Sequence, residues 1–258
     1  MIKTLRGWFR FCLFIALVLT TLASYMLKTL FKGRSLDEGL RMRHKFAHRL
    51  PKLTGMNIEF QGKPHDKPAL YIGNHRSYYD PGAASMHLPK SVIVAKADIA
   101  DWPLLGYATD LAGVIFVDRF NKDSRAATRE AMAKALKDGY SVLIYPEGTI
   151  GDHVNTLPFK PGTFATAIKM GVPIVPMAVE YKVVRDAWVS ADEPFVTHLV
   201  EFWSKKRTHM KVRYGEPIYG KDVDKFLEEC KAWIDENLKE MQEEWGGVDW
   251  PGTALPYA

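Results

Sequence analysis

The chain has 258 residues, 47% of them hydrophobic and 12% aromatic, which suits one sizeable α/β core with a short appended segment and no repeat architecture. Only two cysteines, Cys12 and Cys230, are present, so neither a disulfide framework nor a cysteine zinc site is suggested, and a reducing compartment fits. The net charge of +5 is uneven: residues 1 to 52 carry eleven Lys/Arg and two acidic residues, the remainder 24 and 28, which favours an anionic lipid surface over nucleic acid as a partner.

After Lys3, Arg6 and Arg10 comes Phe11 to Leu27, seventeen residues without a charge. As a helix this run is about 26 Å long, marginal against the ~30 Å of a hydrocarbon core, which fits a short tilted span, a half-inserted anchor or the apolar core of a signal peptide. No A-x-A-like site closes it, and Lys28, Lys32, Arg34, Arg41 and Arg43 follow, a charge density that opposes export. The remainder of the chain is therefore expected on the cytoplasmic face of the inner membrane.

Ser35 to Leu53 sets Leu36, Leu40, Phe46, Leu50 and Leu53 among seven basic or histidine residues, the pattern of a basic amphipathic helix. Such a helix can lie in the membrane interface, and the same pattern fits one packed on the domain with a solvated basic face. Residues 1 to 54 are thus expected to form a membrane-anchoring segment, and residues 55 to 258 the main domain.

Beyond Asn57, the apolar runs Ala69 to Gly73, Ser91 to Ala95, Gly113 to Val117, Ser141 to Tyr145 and Ile174 to Tyr181 read as strands apolar on both faces. Helical patterns at Asp123 to Lys137 and Thr163 to Met170, each stopped by glycine, separate them. The expected fold class is α/β, a mostly parallel central sheet flanked by helices, with ligands at the carboxyl ends of the strands. Asp222 to Trp245 reads as an amphipathic helix covering the core.

The chemical centre of the sequence is the connection after Ala69 to Gly73, which reads Asn74-His75-Arg76-Ser77-Tyr78-Tyr79-Asp80-Pro81. Acyl transfer to an alcohol needs a base for the hydroxyl proton and a carboxylate to orient and stabilise the imidazolium, and His75 and Asp80 could supply both. Five-residue spacing does not align them on a helix face, so they must meet across the turn that enters the helix. Read alone, Asp80-Pro81 is also a plain helix start. A metal at this pair lacks further ligands at a recognisable spacing, and no cofactor is implied. Ser77 lies in no G-x-S-x-G elbow, which disfavours a serine hydrolase.

Three further segments follow in order: Gly113-Val114-Ile115-Phe116-Val117-Asp118-Arg119, Tyr145-Pro146-Glu147-Gly148-Thr149 and Val172-Pro173-Ile174-Val175-Pro176. With Asn74-His75-x4-Asp80 they resemble the four blocks of the 1-acylglycerol-3-phosphate (lysophosphatidate) acyltransferase family of membrane glycerolipid acyltransferases. The resemblance covers roughly residues 55 to 220, including the closing phrase Val212 to Ile218.

It implies that His75 is the base and Asp80 its partner. Asn74, Lys96, Arg119, Glu147, Gly148, Thr149 and Lys160 would serve the acceptor: a guanidinium fork suits a dianionic phosphate, Lys96 adds a point charge, Glu147 orients backbone or meets head-group hydroxyls, and Lys160 precedes a helix N-terminus. The donor would be an acyl thioester of acyl-carrier protein or coenzyme A, the acceptor a lysolipid, and transfer direct. One position departs from the family: its third block continues Glu-Gly-Thr-Arg, and here Ile150 stands in place of the arginine. That leaves lyso-aminolipids, such as lyso-ornithine or lyso-glycine lipid, as alternative acceptors to lysophosphatidate. A non-catalytic lipid-binding scaffold is the alternative from another class.

Overall fold

A computed structural model describes residues 2–101, 105–151, 153–187 and 193–247. Helices α1 (Ile2–Lys32) and α2 (Leu36–Thr54) precede β1 (Met56–Gln61), β2 (Leu70–Gly73), α3 (Asp80–Ala84), β3 (Ser91–Lys96), a 3-10 turn (Ala97–Asp101), α4 (Leu105–Leu111) and β4 (Val114–Val117). Then come α5 (Lys122–Lys137), β5 (Ser141–Ile144), α6 (Gly162–Met170), β6 (Ile174–Tyr181), α7 (Val184–Ala187), α8 (Phe195–Ser204), β7 (Thr208–Tyr214) and α9 (Val223–Glu244).

The strands form one seven-stranded sheet, ordered β1-β7-β6-β2-β5-β3-β4. All neighbours are parallel except β6 with β7, where Val179 pairs with Val212, so β1 and β7 run against the other five. The five runs read as strands are all strands of this sheet.

Why those strands lack polar alternation is visible in β2. Ala69 and Tyr71 face a core with Leu199, Phe202 and Trp203 of α8 and Leu50 of α2, whereas Leu70 and Ile72 face one with Met132 of α5, Phe164 of α6 and Phe226 and Ile234 of α9. Alternate residues meet different helical layers, so both sets must be apolar. Burying a side chain of this size contributes roughly 1.5–3 kcal/mol. Helix ends follow local chemistry: Asn121 Oδ1 caps the Asp123 and Ser124 amides of α5, and Gly171 closes α6 with φ 65°.

Helix α1 is longer than its uncharged run, and Thr4–Leu30 is long and apolar enough to cross a bilayer. One side of it packs on the domain. Gly7 permits that approach, because an added Cβ would stand 2.1 Å from the Val200 carbonyl oxygen of α8. Arg10 Nη1 then donates to the carbonyls of Trp203 (2.8 Å) and Lys205 (2.6 Å), and Arg6 to that of Ser204 (3.1 Å), the carbonyls that end α8. Leu5, Trp8, Phe9, Leu13, Leu19, Met26, Leu27 and Leu30 remain exposed on α1.

Helix α2 turns its apolar face inward. Leu40, Ala47 and Leu50 are buried, so this face packs on the domain rather than standing free for an interface. Arg43, one of the residues behind the basic reading, is buried too: it donates to the carbonyls of Ala112 (2.9 Å) and Ser91 (2.6 Å) and to Ser91 Oγ (2.9 Å). Burial pulls its guanidinium down to about 10, still charged at neutral pH. Arg41, Lys45, Arg49 and Lys52 stay exposed.

Candidate active site

The connection from β2 to α3 folds back on itself because Asp80 gathers its donors. Its Oδ2 accepts from the amides of Arg76 (2.7 Å) and Ser77 (2.8 Å), and its Oδ1 accepts from the Tyr181 hydroxyl (2.7 Å). The same Oδ2 meets His75 Nδ1 at 2.9 Å, so the pair joins across the turn, as the five-residue spacing requires. Asp80 lies inside α3, whose N-cap is Tyr79, and its carboxylate points back along the chain instead of capping the helix. With Nδ1–H given to the carboxylate, Nε2 of His75 is left as the accepting nitrogen.

The imidazole is also held from its face. Tyr145, just past β5, stacks on it with centroids 4.3 Å apart and planes 16° from parallel. Gly73 makes room for that ring: a Cβ there would lie 2.8 Å from Met177 Cε and 3.0 Å from Tyr145 Cε1. Behind the loop, Arg76 is ion-paired with buried Glu180 at 2.9 Å, and Gln242 of α9 donates to the same carboxylate at 2.9 Å. Removing one partner of such a buried pair costs about 3–5 kcal/mol.

Glu147 orients backbone. Its Oε1 accepts from the His75 amide (2.7 Å) and its Oε2 from the Leu157 amide (2.8 Å), and burial pushes its carboxyl above the ordinary value despite both bonds. Gly148 turns the chain at φ 77°, beside two cations: a Cβ on it would be 3.4 Å from Lys160 Nζ and 3.6 Å from Arg119 Nη1. Thr149 is exposed, with its hydroxyl turned to the Ile150 carbonyl (3.3 Å).

These groups border a cavity of about 540 Å³. His75, Lys96, Arg119, Thr149 and Ile150 line it from the carboxyl ends of β2, β3, β4 and β5. Phe14, Val18 and Leu22 of α1, Phe46 and Leu50 of α2, and Leu199 and Trp203 of α8 supply apolar wall. Lys96 is ion-paired with Asp98, and Arg119 is lowered by burial and raised by the nearby Asp98 charge.

Not every residue marked in the sequence meets the cavity. Asn74 spends its amide on Val179, donating to the carbonyl (2.8 Å) and accepting from the amide (2.7 Å), and so ties β2 to β6. Glu147, Gly148 and Lys160 lie beside the cavity rather than in its lining. Sequence reasoning missed Tyr181 and the stacking Tyr145; the only signal for either was its place at the end of an apolar strand, Tyr145 also within the third motif.

An imidazole whose far nitrogen is free, set in a mostly apolar cavity whose lining includes Lys96 and Arg119, can take a proton from a hydroxyl of an amphiphile whose chain lies along the wall. Comparison with known proteins agrees in kind. The family model described as acyltransferase matches residues 55–180. The chain is 30% identical over 226 residues to the 1-acyl-sn-glycerol-3-phosphate acyltransferase of Salmonella typhimurium, covering 83% of this chain and 86% of that one. It is 28% identical over 191 residues to the lyso-ornithine lipid O-acyltransferase of Pseudomonas aeruginosa, covering 72% of each. The crystal structure of the 1-acyl-sn-glycerophosphate (LPA) acyltransferase from Thermotoga maritima has the same fold, with a TM-score of 0.71, 16% identity, and 93% and 94% of the two chains covered.

Proposed function

Since the chain belongs to the 1-acyl-sn-glycerol-3-phosphate acyltransferase family and is an acyltransferase, we propose that it moves an acyl chain from a thioester to the free hydroxyl of lysophosphatidate, giving phosphatidate. The observation that carries this reading is the His75–Asp80 pair bordering a cavity whose lining also holds Arg119 and Lys96. His75 Nε2 takes the acceptor's hydroxyl proton as the oxygen attacks the thioester carbonyl. Asp80 stabilises the imidazolium that forms, the carbon–sulfur bond breaks, and the proton passes to the leaving thiolate. Arg119 and Lys96 hold the phosphate, and the acyl chain lies against α1, α2 and α8. The exposed apolar side of α1 sits in the bilayer, and the domain stands on the cytoplasmic face of the inner membrane.

A lyso-aminolipid acceptor such as lyso-ornithine lipid is the second reading. It is favoured by Ile150, which puts an aliphatic side chain into the lining where the family has arginine. A charge-assisted hydrogen bond contributes ~1.5–3 kcal/mol, so its loss weakens selection of a dianion roughly ten- to a hundredfold.

The test is a panel of lysolipids given to the full chain in vesicles with one acyl thioester, reading thiol release. Lysophosphatidate is expected to be the best acceptor, Ile150→Arg to raise its kcat/KM relative to lyso-ornithine lipid, and Arg119→Ala to depress it selectively. Preference for the aminolipid in wild type, unchanged by Arg119→Ala, would replace the first reading by the second.

A further inference from the structure

Outside the cavity lies a second group of cations that the chemistry above does not use. Lys122, Arg125 and Arg129 of α5 are exposed, and at ~100° per residue they fall within about 60° of one another along ~10 Å of the helix. Asp123 and Glu130 lie round the helix from this row. Arg125 Nη1 donates to the Arg119 carbonyl at 2.7 Å, so the row starts at the loop that also supplies a cation to the cavity. It continues onto the segment that enters α6: Arg129 Nη1 would be 3.8 Å from a Cβ on Gly162, and Lys160 Nζ stands over Gly148.

None of Lys122, Arg125, Arg129 and Lys160 is ion-paired with a described carboxylate. Of the acids beside the loop, Asp98 is ion-paired with Lys96, and Asp118 is turned to its own loop, accepting from the Phe120 amide at 3.0 Å. Phe120 stands between Arg119 and Lys122 and is 92% exposed. An exposed aromatic residue at the head of a row of cations without a described ion pair has the composition of a protein-binding surface. It is an exception on a chain whose residues 53 to 258 carry more acids than Lys/Arg.

We propose that this surface docks the donor: an acidic carrier protein that bears the acyl thioester on a flexible arm. The acyl chain must enter the cavity while its carrier stays outside, and the row runs from the cavity lining outward over the domain. A convex helix face holds a small phosphorylated carrier poorly, since each solvated contact is screened, whereas an acidic protein surface engages several cations and Phe120 together. The inference rests on thioester transfer as proposed above, and wild-type transfer from acyl-coenzyme A to a lysolipid tests that reading separately.

The experiment compares acyl-carrier protein with acyl-coenzyme A of the same chain length, using the full chain in vesicles. Lys122→Glu together with Arg129→Glu, which leaves the Arg125 bond to the Arg119 carbonyl intact, is expected to lower kcat/KM for the carrier protein by about tenfold or more and to change that for acyl-coenzyme A by less than about twofold. Added salt should slow the wild type with the carrier protein and scarcely affect the double variant. Phe120→Ala, which removes no internal contact of a solvated ring, should show the same selective loss, and it carries the comparison should the double variant not fold. Equal loss with both donors, an unchanged carrier rate, or a wild type that uses acyl-coenzyme A but no carrier protein would overturn the proposal. Loss of vesicle binding in the double variant would assign the surface to the membrane instead.

Discussion

The two sides of the cavity are built by different forces. On the side of the strand ends, the segment from Asn74 to Asp80 is held by directional bonds: three donors on Asp80 Oδ2, one on Oδ1, two amides on Glu147 and two bonds between Asn74 and Val179. On the opposite side, α1, α2 and α8 present phenylalanine, leucine and valine, which fill space without fixing angle. Function on the first side should therefore fall steeply with small chemical changes. The second should answer mainly to changes of volume or helix spacing.

The sharpest test is His75→Ala. Loss of a general base should slow transfer ~10²- to 10⁴-fold, while Asp80 keeps its other three donors, so thermal stability should hardly move. A variant that keeps a tenth of the wild-type rate would show that the strand-end side is not where proton transfer occurs.

Asp80→Asn is expected to come next, with a loss of kcat inside the ~10²- to 10⁴-fold range of general-base catalysis. Its side-chain oxygen can still accept from the Arg76 and Ser77 amides, and its NH2 can donate to the Tyr181 oxygen, so the loop survives and the charge alone is lost. A preserved melting temperature beside the lost rate distinguishes charge from architecture.

On the opposite side, Gly7→Ala probes helix spacing. The added carbon meets the Val200 carbonyl, so α1 must move off α8, at a cost of ~1–3 kcal/mol less the ~1 kcal/mol that alanine returns in helix propensity. The expected result is a lower melting temperature in detergent with a catalytic rate reduced only a few-fold. A loss as deep as that of His75→Ala would erase the contrast between the two sides.

The smallest effect concerns Glu147 and pH. Its carboxyl is raised by burial, so the folded chain holds this proton more tightly than the unfolded one, and the resulting stability is present below the ordinary carboxylate value and lost as pH rises through the raised one. Glu147→Gln carries no such proton. The stability difference in favour of wild type should thus be larger at about pH 4 than at about pH 8, read by chemical denaturation.

Strands β2, β3, β5 and β6 were legible because interior places in the sheet leave unbroken apolar runs, β4 because it keeps such a run at the sheet's edge, and the ends of α5 and α6 because glycine marks them. Strand β1, Met56–Gln61, was not, since its edge position exposes alternate residues and its pattern is weak. Nor was α8, whose run Phe195–Ser204 packs between the sheet core and α1. At the site, spacing alone left Asp80 as a plain helix start, and the His75–Asp80 pair was expected from the resemblance of four ordered motifs together with the need for a base. The positions of Tyr181 and Glu180 did not, because β6 reaches the loop only through the sheet order, which a single sequence does not print. Arg43 is the instructive reversal: it read as one of the cations of a basic helix face and serves as a buried donor to four main-chain or hydroxyl oxygens.

Helix α1 has one side against the cavity and the other exposed in apolar residues. If that outer side lies in lipid, substrate and product differ in position from their bulk-membrane pool by about the thickness of one helix, ~10 Å. The enzyme would then respond to the mole fraction of lysolipid in the surface, not to its amount per volume of solution. Diluting the acceptor with inert phospholipid should lower the rate even when every molecule present stays the same in number, whereas diluting the whole suspension with buffer should leave acceptor binding unchanged.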